Sequence, residues 1–359
     1  MDKTMKLFQF KSVLIASTAL ALTGCGGGGG GSGDTLPVVT AGGVAPVDIN
    51  TSTLVIPAST YAPGSAEAGG WTVLQSARVL CGFGVLRQDS RLDAAALAHA
   101  KYLTSEAMTS PGFLSHEETN TNNPNYSGRF PWDRTLQKTY GDQVAEILES
   151  ISVTYNTGNP PVSLSMAQRG AFSMINLLNT VYHQQGAMFD GLDVGFGADL
   201  RTAASGTSRR DEYRFGSLNG FQTHYQIFGA GQVATYPCQG STNVPTAFAP
   251  AFESPNPFPA MTSALQVVGP PIYLKADFPQ VLTLTSSSIS SAGVAVPTTV
   301  LTHANDPARD SRDNPFIGRH EAFVVPTVAL APNTVYQVSL AGTVNGLAFN
   351  RSFTLRTEP

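Results

Sequence analysis

The apolar pattern of this chain changes its period at Pro237. Before that residue, apolar side chains recur at helical spacing. Leu92, Ala96, His99 and Leu103 form one stripe, and Ala171, Met174, Ile175, Leu178 and Val181 form another. After about residue 240 the helical stripes vanish. Short apolar or alternating runs then sit between Pro, Gly and Asn turns: Pro279 to Leu284, Ala295 to Leu301, Glu321 to Pro326, Thr334 to Leu340 and Arg351 to Thr357. One sequence with two periods predicts two folded units, a helix-and-strand domain over 71–238 and an all-β sandwich over 239–359. The chain has 359 residues, which suits two domains plus accessory segments.

In the first unit the spacing predicts helices over about 71–80, 89–109, 130–139 and 164–182. Asp89 or Ser90 caps the second, and Ser110-Pro111-Gly112 ends it. Strands are expected from Leu192 to Leu200 and from His224 to Tyr236, with a Ser- and Arg-rich loop between them. Val144 to Leu148 sets one acid, Glu146, among apolar neighbours. The order suggests an α+β fold, a layered α/β/α sandwich followed by the β-sandwich.

The N-terminus reads as an address. Lys3, Lys6 and Lys11 precede an apolar core, Ser12 to Leu22, too short for a permanent membrane helix. Leu22-Thr23-Gly24-Cys25 resembles a bacterial lipobox, which implies removal of 1–24, lipidation of Cys25 and a membrane as partner. Residues 25–70 are rich in Gly, Ser, Thr and Pro and read as a flexible tether. The expected location is the cell envelope. Gly26 after the Cys points to an outer membrane or cell surface. Cys81 and Cys238 remain, and export favours a disulfide between them over two buried thiols. Net charge is −4. Losing 1–24 removes three Lys and one Asp and leaves −6, which argues against nucleic acid as a partner.

Four pieces of the first unit carry a resemblance. They are Leu92-Asp-Ala-Ala-Ala-Leu-Ala-His-Ala, Phe113-Leu-Ser-His116, Val144-Ala-Glu146-Ile-Leu, and Asn179-Thr-Val-Tyr-His183 followed by Val194-Gly-Phe-Gly. In order and spacing they resemble the CAP superfamily of SCP-like domains over about half of the chain. The resemblance implies an α/β/α sandwich whose central cavity is lined by two His and two Glu, carried here by His116, Glu146 and His183. The fourth member has no match, since 166–179 holds Gln168 and no acid. Gln184 stands where the family has Arg after the second His. The tail resembles a bacterial Ig-like domain.

Two His and a carboxylate in a cleft imply three chemistries. They can hold Zn²⁺ or another divalent metal with one position open for water. They can do acid–base work, although Ser115 is the only nearby nucleophile and no Gly-x-Ser-x-Gly elbow exists. They can also form a buried hydrogen-bond network with no ligand. His99, on its apolar stripe, reads as a satisfied core residue. Glu117 and Glu118 read as solvated loop acids. The expected function is an anchored binding module for a lipid, a small apolar ligand or a protein, with a metal-dependent envelope hydrolase as the alternative and a structural adhesion protein as a third reading.

Overall fold

The computed structural model describes residues 11–15, 47–49, 56–310 and 313–359. Cys25, the lipobox and most of the leader and tether lie outside them. In the leader, β1 (Lys11–Ile15) pairs antiparallel with Leu148 to Ser152; in the expected tether, β2 (Val47–Ile49) pairs in parallel with His224 to Gln226.

The helices begin where the sequence supplies caps. Helix α1 (Ala66–Cys81) starts at Ser65, whose hydroxyl accepts from the Ala68 N–H, and stops at Gly82 in the left-handed region. This start precedes Trp71, so the folded unit reaches back into the expected tether. Tyr61 is part of it: its ring lies 5.9 Å from those of Trp71 and Phe196, and its hydroxyl donates to Asp93 at 2.7 Å. After β3 (Arg87–Gln88), α2 (Ser90–Thr109) begins with Asp89 accepting from Arg91 N–H. Helix α3 is Pro131–Gln137, with Pro at its first turn.

Strand β4 (Val144–Asn156) was not expected. Val144 to Ser150 are all buried, so no period of two marks the strand. Helix α4 (Met166–Leu178) opens with a Ser165/Gln168 capping box and breaks at Asn179-Thr180 before α5 (Val181–Ala187). Strands β5 (Gly191–Ser205) and β6 (Ser208–Gln226) make one long hairpin, where a Ser- and Arg-rich loop was expected. The charged residues fit because they pair within the ribbon. Glu212 lies between Arg210 Nε at 2.9 Å and Arg214 Nη2 at 3.0 Å.

The first sheet runs β1-β4-β6-β5-β3, with β2 beside β6. Helices cover both faces. Helices α2 and α3 pack on one side, and α1, α4 and α5 on the other. Val194-Gly-Phe-Gly shows why. Val194 and Phe196 enter the core on the α1 side, whereas a Cβ at Gly195 or Gly197 would lie 2.2 or 2.1 Å from backbone N of Asp93 or Leu97 in α2. The two glycines let α2 lie directly on the strand.

The rest of the chain forms two four-stranded sheets. One runs β11 (Thr298–Thr302), β12 (Glu321–Pro326), β8 (Ile272–Lys275) and β7 (Ala234–Tyr236). The other runs β10 (Val294–Val296), β9 (Leu282–Ser291), β13 (Val335–Val344) and β14 (Leu347–Arg356). Residues Ala234–Tyr236, expected at the end of the first unit, therefore belong to the second.

The first of these sheets is buried on both faces. Ile272, Leu274, Ala322 and Val324 join the core shared with Val338, Leu340 and Phe353, while Tyr273, Phe323 and Val325 join the core containing Tyr182 and Phe83. The molecule is thus layered, with α5 and the end of α1 between two sheets. The Cys81–Cys238 disulfide spans 157 residues, with Cα atoms 5.4 Å apart. It ties α1 to the segment after β7, and so joins the two units rather than closing the first one. By chain entropy, a loop of this length stabilises the fold by about 5 kcal/mol.

Candidate functional site

Alternation along β4 sends Glu146 and Leu148 toward α2 and α3, and Ile147 and Glu149 toward α4 and α5. Glu146 is buried. Its carboxylate lies 2.8 Å from His116 Nδ1 and accepts from Arg134 Nη2 at 2.8 Å on each oxygen. His99 Nε2 is 3.9 Å away. Arg134 comes from α3 and is fully buried. Its other amino group donates to the carbonyls of His116, Gly128 and Arg129.

The cluster extends through His99. Nε2 faces the Ser115 carbonyl at 3.0 Å, and Nδ1 faces Glu118 Oε1 at 2.8 Å. A carbonyl only accepts, so Nε2 carries the ring hydrogen, and Nδ1 makes the ring's second contact, with Glu118. Ser127 Oγ also donates to Glu118, at 2.9 Å. Glu118 is 1% exposed, which corrects its reading as a solvated acid. Glu117 does lie at the surface, 3.0 Å from Arg129. His99 is a satisfied core residue, and it also ties two acids together.

Burial raises the Glu146 carboxyl, but Arg134, His99 and His116 outweigh it and hold the group well below the usual carboxylate range. Burial, followed by the charge of Arg134, pushes His99 below its ordinary value. His116 is 11% exposed at its side chain, so solvent reaches the cluster at one edge only.

His183 lies elsewhere. All seven residues of α5 are buried, because the helix packs between the two units. Glu253, from the second unit, accepts from Val181 N–H at 3.0 Å and Tyr182 N–H at 2.6 Å. His183 Nδ1 is 2.8 Å from Thr180 Oγ1 and 3.4 Å from Glu253 Oε1. Tyr182 donates to Asp306, Gln185 to Glu321 at 2.6 Å, and Gln184 to the Leu178 carbonyl at 3.1 Å. Gln168 remains in the α4 cap. The Asn179 to His183 segment is thus a junction element on the Glu149 side of the sheet, opposite His116 and Glu146. Ser115 is not poised as a nucleophile, since its hydroxyl accepts from Glu117 N–H at 3.0 Å.

Sequence reading missed Arg134 and Glu253. Each left one signal: a lone Arg just after Pro131-Trp132 in a short helix, and a lone acid within the Phe252 to Pro257 turn.

The expected metal set does not fit. Both Glu146 oxygens are held by a guanidinium, and a divalent cation there would sit against that fixed charge. His183 supplies its ring to a different acid. Among the described residues, no group of three or more His, Cys, Asp and Glu is placed to hold a metal. A cleft of about 590 Å³ opens instead beside the disulfide, between the end of α1, β7 and β14. Among the described residues no helix is long and apolar enough to cross a membrane. Neither a protein-family model nor a curated protein matches the chain.

Proposed function

We propose that the chain is an exported lipoprotein held to a membrane through Cys25, with a CAP-type body and an Ig-like module, and that it binds a ligand rather than catalysing a reaction. One observation carries the non-catalytic reading. The groups that resemble the family's cavity set, His116 and Glu146, are engaged by Arg134 in a charge-compensated interior. A buried, fully paired carboxylate with a depressed pKa is a poor general base and a poor metal ligand. Helices on both faces of the first sheet support the CAP-type body. The two facing four-stranded sheets support the Ig-like module.

The test is a calorimetric Zn²⁺ titration of the purified chain beside His116→Ala. The expected result is no stoichiometric binding and no difference between the two. About one Zn²⁺ per chain, lost in the variant, would overturn the binding reading in favour of a metal hydrolase. Mass analysis of the membrane fraction tests the anchor. Acylated Cys25 is expected, and Cys25→Ala should leave the chain unanchored.

A further inference from the structure

The cleft beside the disulfide lies along an open sheet edge. Strand β14 ends the order β10-β9-β13-β14, so among the described residues one side of it has no partner strand. The Asn345-Gly346 turn has both residues at positive φ, 50° and 81°, and closes the hairpin at the Val344–Leu347 pair. Counting from there, the N–H and C=O groups of even-numbered β14 residues point away from β13. The last of these are already used by the chain. Gly240 N–H donates to Thr354 O at 3.2 Å, Arg356 N–H to Ser241 O at 2.9 Å, and Val244 N–H to Arg356 O at 3.1 Å. Toward the turn the pairing stops at Thr354. Among the described residues, the outward backbone groups of Asn350 and Ser352 have no partner.

The cleft begins where that pairing ends. Ser352 and Phe353 form one wall, and Val79, Val85 and Phe228 are apolar parts of the other. Val79 is 53% exposed. Arg351 is the one cation lining the cleft. It donates to the Val233 carbonyl at 3.0 Å and contacts the Gln232 amide oxygen at 3.5 Å, and it has no acidic partner among the described residues. The lining residues include no acid.

We infer that this edge is a slot for an extended acidic peptide of a partner protein, which adds to β14 as a strand over Ala348 to Ser352. Backbone hydrogen bonds to Asn350 and Ser352 hold it, in line with the chain's own 240–244 segment. Alternate peptide side chains on the Arg351 side fall into the apolar cleft, and an acid among them pairs with Arg351. The inference rests on the binding role proposed above and names its partner.

The test pans a displayed library of random octapeptides against the purified full chain. Ser352→Pro is the counter-target. Proline at an outward-facing edge position removes the docking N–H and leaves the ladder to β13 intact. Enriched peptides are expected to alternate β-branched residues and to carry an acid. Their affinity should fall about tenfold or more in Ser352→Pro and in Arg351→Gln. N-methylation of alternate peptide amides leaves the protein untouched and should cause the same loss, so a misfolded variant cannot decide the matter. Failure to enrich any peptide overturns the slot. So does binding indifferent to both Ser352→Pro and N-methylation, or uptake of dodecanoate in place of any peptide. Peptides that bind the slot and are then cleaved would leave it standing and overturn the non-catalytic reading instead.

Discussion

Arg134 decides what the buried acids can do. It neutralises Glu146 and anchors three carbonyls, so its loss strands a carboxylate in the interior. Arg134→Met should cost about 3–5 kcal/mol in chemical denaturation, and adding Glu146→Gln should recover much of it. The pH dependence follows from two depressed groups. Below the ordinary histidine value of 6.5, the unfolded chain takes up a proton that folded His99 resists, so stability falls with pH. Glu146 adds a second loss below its ordinary 4.5, because its folded value is depressed and its stabilisation disappears as acid protonates it. Urea titrations should show stability declining from pH 7 to 5 and more steeply below 4.5. Glu149 behaves in the opposite sense. Burial raises it, outweighing what Asn176, Ser173 and His183 do to lower it, so its charge costs stability at neutral pH. Glu149→Gln should stabilise the chain by about 1 kcal/mol at pH 8, with the gain shrinking toward pH 4.

At the scale of elements, legibility depended on how many faces each one buries. Helices α2 and α4 bury one stripe and leave the other in water, so their periodicity was visible, as was the Asp89 cap. Strands β9 and β13 alternate for the same reason. Strand β4 is buried on both faces and α5 all round, so neither shows a period, and the acids and histidines they carry could not be assigned to a side. The resemblance put Glu146 and His183 in one site, and no period was there to oppose it. A strand with Glu146 facing α3 and Glu149 facing α4 puts them on opposite sides of the sheet. His116 with Glu146 was legible from sequence. Arg134 and Glu118 were not, because both lie outside the four pieces that carry the resemblance. Gly195→Ala tests the close approach of α2 to β5. A methyl group there meets backbone, not a movable side chain, and should cost about 3 kcal/mol.

For the whole molecule, the units read as separate from their two periods are joined through α5. Glu253 caps it, Tyr182 and Gln185 reach into the second unit, and Cys81–Cys238 crosses the same junction. Thermal unfolding should therefore be a single transition. Cys81→Ser with Cys238→Ser should lower its midpoint, by about 3–5 kcal/mol in stability, without splitting it in two. Two resolved transitions would mean that the junction does not couple the units.

The central claim is that the sheet separates His116 from His183, so these two histidines do not share a centre. Two double-mutant cycles by chemical denaturation test it directly. His116→Ala with Glu146→Gln should show coupling above about 1 kcal/mol, because the two side chains touch. His116→Ala with His183→Ala should be additive within about 0.5 kcal/mol. Coupling above about 1 kcal/mol between the two histidines would contradict the account and place them in one site.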